Sequence, residues 1–229
     1  MLEERPGMRL VLGHGGGGAA HRPAQEYRIR EGLAGGGGWR GVAATRRGVL
    51  TMNRRVLDAL AEADLFPVLL PPVAGVLARN GAIRSWDTRV IAAVLAAGQI
   101  PLVHGDVVLD SVWGFTICST EALFAFLARR LRPTRVLLAC DVEGVYLEPD
   151  RRDVIPRISR RNIESVRQLL SRARAAGAAD VTGRMAAKVE RLYELATRRR
   201  GLDVRIVCGL KSGVIESALA GGDAGTRIG

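Results

Sequence analysis

Residues 8–21 read Met-Arg-Leu-Val-Leu-Gly-His-Gly-Gly-Gly-Gly-Ala-Ala-His, an apolar run that breaks into four consecutive glycines and closes on a histidine. A short apolar run of this kind is a buried strand. The glycines at its end let the backbone N–H groups of Gly15, Gly16, Gly17 and Gly18 come close to an anion. The helix-compatible residues that follow add a favourable N-terminal dipole. His21 then stands one turn beyond the loop, where an imidazole N–H reaches the same anion and its charge responds near neutral pH.

The rest of the chain alternates helical patterns with short apolar strands. The spacing predicts helices over 19–31 and 48–63, a strand over 66–70, a hairpin at Asn80-Gly81 and a helix over 87–97 that stops at Gly98. A strand over 100–103 leads to His104-Gly105-Asp106, a second hairpin runs from 107 to 117, and a helix capped by Ser119 or Thr120 extends to Leu131. Strand 136–139, helices 162–175 and 184–200 with a polar turn at Asp180-Val181-Thr182-Gly183 between them, and strand 204–207 complete the pattern. Gly35 to Gly38 read as a flexible connection. This alternation is that of an α/β fold with a mainly parallel sheet.

Composition narrows the functional classes. At 229 residues and 48% apolar content the chain has ample core material, and no segment has the apolar length of a membrane span. Cys118, Cys140 and Cys208 are widely spaced within or beside apolar segments, as reduced buried thiols are, which points to the cytoplasm. The net charge of +11 comes from arginines scattered in twos and threes with few aromatics between them, a pattern that argues against a nucleic-acid groove. Of 34 basic residues only Lys188 and Lys211 are lysine, as expected where a compact ammonium is required.

Gly13, Gly15 and Gly18 satisfy GxGxxG, but the acidic strand end expected about 20 residues on is replaced by Gly35 to Gly38, so the dinucleotide reading fails. Neither lysine completes a Walker A sequence. Taken alone, His14 reads as a structural strand-end histidine, His104 as a site-lining one, Glu121 as a first-turn acid and Asp141 as a turn residue.

Read together, these segments resemble the isopentenyl phosphate kinases of the amino-acid-kinase superfamily. His14-Gly-Gly-Gly-Gly-Ala-Ala-His21 is similar to their His-Gly-Gly-Gly-Ser-Phe-Gly-His signature. The likeness continues in order through His104-Gly105-Asp106-Val107-Val108, Ser119-Thr120-Glu121, Asp141-Val142-Glu143-Gly144-Val145-Tyr146, Asp180 to Met185 with Lys188, and Gly225-Thr226-Arg227-Ile228. The resemblance implies an αβα three-layer sandwich of the carbamate-kinase-like fold that transfers the γ-phosphoryl group of ATP to isopentenyl phosphate with Mg²⁺ assistance. It implies a single domain over 1–229, with an acceptor-binding half at about 8–118 and a nucleotide-binding half at about 119–229. It also implies a homodimer.

By the same resemblance, Gly15, Gly16, Gly17, Gly105 and Asp106 bind the acceptor, and His21 hydrogen-bonds its phosphate. Lys188 neutralises ATP phosphate charge, and Glu121 stands where the superfamily has an acid that organises its lysines. Asp141, Gly144, Tyr146, Gly183 and Lys211 lie on the nucleotide side, and apolar residues of the 48–77 region line the isoprenoid tail. No protein metal ligand is implied. Three departures stand out: a Lys-x-Gly-Gly-Ser loop and its strand and helix have no counterpart upstream of residue 8, Gly18-Ala19-Ala20 replaces Ser-Phe-Gly, and Arg184 replaces a glycine. The expectation is therefore an N-terminally incomplete chain in which residues 1–7 are the tail of the lost helix. A fosfomycin-type phosphonate kinase and a non-catalytic phosphate-binding derivative are the alternatives.

Overall fold

The computed structural model describes residues 7–148, 151–175 and 179–229, with the side chains of 148, 151–152, 174–175 and 179–184 outside the described residues. The chain divides into two compact units, Met1–Leu131 and Arg132–Gly229. No helix among the described residues is long and apolar enough to cross a membrane. The reading of 1–7 as a lost helix falls almost wholly outside the described residues.

In the first unit the elements are β1 (Leu12–His14), α1 (Gly17–Glu26), α2 (Gly38–Glu62), β2 (Val68–Leu69), β3 (Val76–Arg79), β4 (Ala82–Trp86), α3 (Arg89–Ala96), β5 (Pro101–His104), β6 (Asp106–Asp110), β7 (Gly114–Cys118) and α4 (Thr120–Leu131). One sheet is parallel, in the order β1-β5-β2, and pairs His14 with His104. The other has the order β4-β3-β6-β7, with β3 and β6 parallel and both hairpins antiparallel. Both predicted hairpins are present. Asn80 and Gly81 take φ of 51° and 76°, as a two-residue hairpin turn of the right twist demands.

The core of this unit gathers where apolar faces meet. Ile91, Val103 and Leu127 form one buried cluster, and Ile29, Val107 and Phe115 belong to another, against which Tyr27 and Val42 pack. That second cluster explains two departures from expectation. Helix α1 ends at Glu26 and a 3-10 segment, Ile29–Gly35, follows it, while α2 starts at Gly38, ten residues before the predicted start. Burying Ile29 and half-burying Val42 against Phe115 outweighs the glycine content of 35–38, which the sequence pattern reads as a flexible connection. Helices α1 and α2 pack closely because Gly48 has no Cβ to meet the Ala19 carbonyl. Pro23 denies that same carbonyl its helical N–H partner.

The second unit contains β8 (Arg135–Cys140), β9 (Tyr146–Glu148), β10 (Arg151–Val154), β11 (Arg157–Ile158), α5 (Ile163–Ala175), α6 (Ala179–Arg198), β12 (Asp203–Cys208), α7 (Val214–Ala220) and β13 (Thr226–Ile228). Its main sheet has the order β11-β13-β12-β8, with β12 and β8 parallel in register from Asp203 and Arg135 to Cys208 and Cys140. Strand β12 is buried throughout, its two charged residues Asp203 and Arg205 included, and these pair with each other at 2.9 Å. The predicted turn at 180–183 is instead the first part of α6. The run has no proline, and one internal glycine costs only about 1 kcal/mol, too little to stop a 20-residue helix that buries Met185, Val189, Leu192 and Leu195. The architecture is thus mixed α/β, with parallel strands carrying the loops considered next.

Candidate functional site

Strands β1 and β5 end side by side, and both chains leave their carboxyl ends through glycines. Open α/β sheets bind ligands at such ends. The Gly105 N–H donates to the His14 carbonyl at 3.0 Å and shares the Thr120 hydroxyl oxygen at 3.0 Å, while the Thr120 hydroxyl donates to the same His14 carbonyl at 2.6 Å. Thr120 therefore ties two strand ends to the start of α4. Capping that helix falls to Ser119, whose Oγ lies 3.3 Å from the Ala122 N–H.

The glycine run is not uniform. Gly16 begins the entry into α1, and a Cβ there would meet Ala20 at 2.8 Å. Gly17 has a φ of +64° and lies above Met52, so the fold itself demands glycine at this position. Around Gly15 and Gly18 nothing lies within 4 Å of where a Cβ would stand. Those two positions border open space at the N-terminus of a ten-residue helix, an arrangement suited to phosphate oxygens. His21 is exposed on the second turn of that helix.

Beneath the loop lies a buried polar layer. The His14 ring stacks at a tilt on His104, with centroids 5.3 Å apart. Its Nδ1 is 2.9 Å from the Gly15 carbonyl and its Nε2 is 3.0 Å from the Asn53 amide on α2. Both partners are oxygens, the Gly15 carbonyl and the Asn53 Oδ1, so whichever ring nitrogen carries the proton donates to the oxygen it faces. His104 is fully buried, and burial pulls its pKa below the ordinary histidine value. Asp106 is pushed above the ordinary carboxylate range by burial, against the opposing pull of Arg46. Its Oδ1 is 3.2 Å from Arg46 Nε and accepts the Val107 N–H at 2.8 Å. His104 Nε2, Asp106 Oδ2 and the Thr45 hydroxyl are buried without a hydrogen-bond partner among the described residues. Unmet buried polar atoms are costly unless a water or ligand reaches them.

Of the expected acceptor residues, the structure brings Gly15, Gly16, Gly17, Gly105 and Asp106 to adjoining strand ends. Asp106 is a wall beneath the loop, its side chain wholly buried. Glu121 is half-buried in the first turn of α4. Arg46 and Asn53 were not anticipated from the sequence, and Thr120, expected as a possible cap of the helix, ties the strand ends together instead. Of the apolar residues expected along 48–77, Val49 is core and Met52 lies against the loop, whereas Phe66 and Leu77 are exposed.

In the second unit the parallel strands β8 and β12 also end together. Lys188 on α6 is half-buried, its Nζ 3.5 Å from the Cys140 thiol at the end of β8. The loop 141–146 follows at once, and Asp141 is exposed on it. Gly144 is buried where a Cβ would strike the Thr226 hydroxyl, which accepts the Val145 N–H at 2.8 Å. The Tyr146 hydroxyl accepts from the Glu143 N–H at 3.3 Å. Lys211, on the loop after β12, pairs with Glu143 at 2.7 Å, and that carboxylate raises the lysine pKa. The pair is exposed, so it contributes little to stability and leaves the ammonium available to exchange partners. Gly183 falls in the backbone of α6, and the Arg184 side chain lies outside the described residues. The expected nucleotide residues Asp141, Gly144, Tyr146 and Lys188 thus share one strand end and its loop, with Lys211 on the loop after the neighbouring strand.

Comparison with known proteins identifies the family of the chain. The model of the amino acid kinase family matches residues 2–208. The isopentenyl phosphate kinase of Methanothermobacter thermautotrophicus is 36% identical over 233 residues, covering 96% of this chain and 84% of that protein. The isopentenyl phosphate kinase of Methanocaldococcus jannaschii is 31% identical over 227 residues, covering 96% and 81%. Among solved structures, one described as X-ray structures of isopentenyl phosphate kinase superposes with a TM-score of 0.78 at 31% identity, covering 96% of this chain and 84% of the other. A Thermoplasma acidophilum isopentenyl phosphate kinase product complex, 20% identical over 96% of this chain and 83% of its own, has the same fold with a TM-score of 0.72. With strand-end loops of this kind in both units and matches along nearly its whole length, the chain belongs to the amino acid kinase family, among the isopentenyl phosphate kinases.

Proposed function

We propose that the protein transfers the γ-phosphoryl group of ATP to isopentenyl phosphate, giving isopentenyl diphosphate and ADP. The observation that carries this reading is the loop at Gly15 to Gly18. It opens away from the protein at Gly15 and Gly18, in a chain 36% identical over 96% of its length to an isopentenyl phosphate kinase. A phosphate monoester is largely ionised near neutral pH, with a second pKa of about 6, so its oxygen attacks the γ-phosphorus without a general base. The new P–O bond forms as the bond to the β-phosphate oxygen breaks and ADP leaves. What the protein supplies is positioning and charge.

The backbone N–H groups of Gly15, Gly16 and Gly17 and the α1 dipole hold the acceptor phosphate, and the His21 imidazole donates to it. Gly105 and Asp106 shape the floor of this site. The ammonium of Lys188 offsets charge on the ATP phosphates, Glu121 acts as the organising acid, and Asp141, Gly144, Tyr146, Gly183 and Lys211 bind the nucleotide. The reading includes a Mg²⁺ ion that arrives on the ATP phosphates. When bound, that ion neutralises phosphoryl oxygen charge. The reading includes a cytoplasmic homodimer. Buried Cys118, Cys140 and Cys208 outside any disulfide fit the compartment, and the exposed neighbours Leu77 and Leu109 fit a contact between copies.

ADP release measured with isopentenyl phosphate, dimethylallyl phosphate and fosfomycin tests the reaction. Turnover is expected with isopentenyl phosphate, and His21→Ala should lower it about 100-fold by removing a donor to the transferring centre. ATP binding without turnover on any acceptor, or a preference for fosfomycin, would overturn the assignment.

A further inference from the structure

The second unit carries a cleft of about 710 Å³ that has no part in the site just described. Arg157, Arg160, Arg161, Arg199, Arg200 and Arg227 line it, and no aspartate or glutamate does. Arginine is 32 of the 229 residues, so a lining of 14 residues should hold about two arginines by chance. It holds six. Scattered surface charge does not produce that concentration, and a predominantly basic concave wall focuses the potential on anions.

The guanidinium groups differ in how committed they are. Arg157 donates to the Gly229 carbonyl at 2.8 and 3.0 Å, and Arg227 leans on Asp203 at 3.5 Å. No carboxylate among the described residues pairs with Arg160, Arg161 or Arg200, and all three are exposed. They come from separate places: Arg160 and Arg161 precede α5, while Arg200 sits in the turn between α6 and β12. Folding has brought like charges together from about 40 residues apart, which is unfavourable unless an anion occupies the space between them.

Location separates this cleft from the nucleotide loops. It surrounds Leu202 and Ile228, at the start of β12, whereas the loops at 141–146 and 209–213 follow the ends of β8 and β12. At about 3.3 Å per residue the length of β12 puts roughly 16 Å between the two ends. The geometry points to a second anion site. We propose that this cleft binds a small anion carrying two or more phosphate groups, gripped by planar guanidinium forks. An extended polynucleotide is a poorer match, because the cleft is compact and Tyr193 is its one aromatic wall residue.

Calorimetric titration of the full chain with inorganic tripolyphosphate tests this. In the Lys188→Ala background, which weakens the nucleotide phosphate site, the triple variant Arg160→Ser, Arg161→Ser, Arg200→Ser should bind at least about tenfold more weakly than Lys188→Ala alone, since losing several ion pairs of this kind is worth a tenfold change or more. Orthophosphate should bind at least about tenfold more weakly than tripolyphosphate, because one phosphate engages fewer forks. If the serine variant loses structure, the triple lysine variant replaces it. That variant keeps the charge but not the fork, and should show an intermediate loss. ADP against pyrophosphate in the Lys188→Ala chain distinguishes a nucleotide from a bare oligophosphate as occupant. Unchanged affinity in the serine or lysine variant, loss only in Lys188→Ala, or tighter binding of single-stranded DNA than of tripolyphosphate would overturn the proposal.

Discussion

Two lysines survive in an arginine-rich chain, and the structure gives them opposite surroundings. Lys188 is half-buried beside the Cys140 thiol, while Lys211 is exposed and paired with Glu143. A guanidinium is larger, planar and more weakly hydrated than an ammonium, so it fits poorly into the first place and easily into the second. Lys188→Arg is expected to lower kcat by about 100-fold, and Lys211→Arg to stay within about threefold. Steady-state kinetics of the two variants checks this, and full activity of Lys188→Arg would remove the need for a compact charge. The residues that could be read from sequence are those whose chemistry is contiguous, such as Gly15 to His21. Thr120, Asn53 and Arg46 act through partners 106, 39 and 60 positions away, and no local pattern marks such distances.

At the scale of elements, one carboxylate holds two turns. Asp110 closes β6 and accepts the backbone N–H groups of Asn80 and Gly81 from the first hairpin at 3.2 and 2.8 Å. It accepts those of Val112 and Trp113 from the second, each at 2.9 Å. Burial alone would raise its pKa, but these bonds to the charged form outweigh it, and the native value lies below 3.8. The stabilisation is therefore present above pH 3.8 and lost as the pH falls through the lower native value. Asp110→Asn should reduce unfolding free energy by about 2 kcal/mol at neutral pH and remove that acid-dependent component. Urea unfolding at pH 7 and at low pH measures both. The hairpins themselves were legible, because Asn80-Gly81 states its turn locally. The start of α2 and the continuation of α6 through 180–183 were not, since the packing of half-buried Val42 and buried Met185 outweighs the local glycines. Strands β9 and β10 were also missed, because their short polar pattern around a turn lacks the apolar alternation that marks a strand.

Over the whole molecule, a net charge of +11 sets how anionic substrates arrive. Phosphorylated ligands are drawn in by the long-range field, which salt screens. Raising ionic strength from about 0.05 to about 0.3 M should lower kcat/KM for ATP severalfold and leave kcat nearly unchanged. A salt-independent kcat/KM would confine the electrostatics to the bound state. The mixed α/β architecture was legible from the alternation of patterns along the chain, and the division into two compact units at Leu131 is set by contacts and not by composition. The glycine run at 15–18 carries one more consequence, for the history of the gene. Drift at Gly16 or Gly17 strikes the packing of α1 and is removed as misfolded protein, whatever the ligand. Drift at Gly15 or Gly18 meets no atom of the fold and leaves an intact molecule whose doorway is closed. A lineage that abandoned this substrate would therefore keep the middle pair of glycines and lose the outer two.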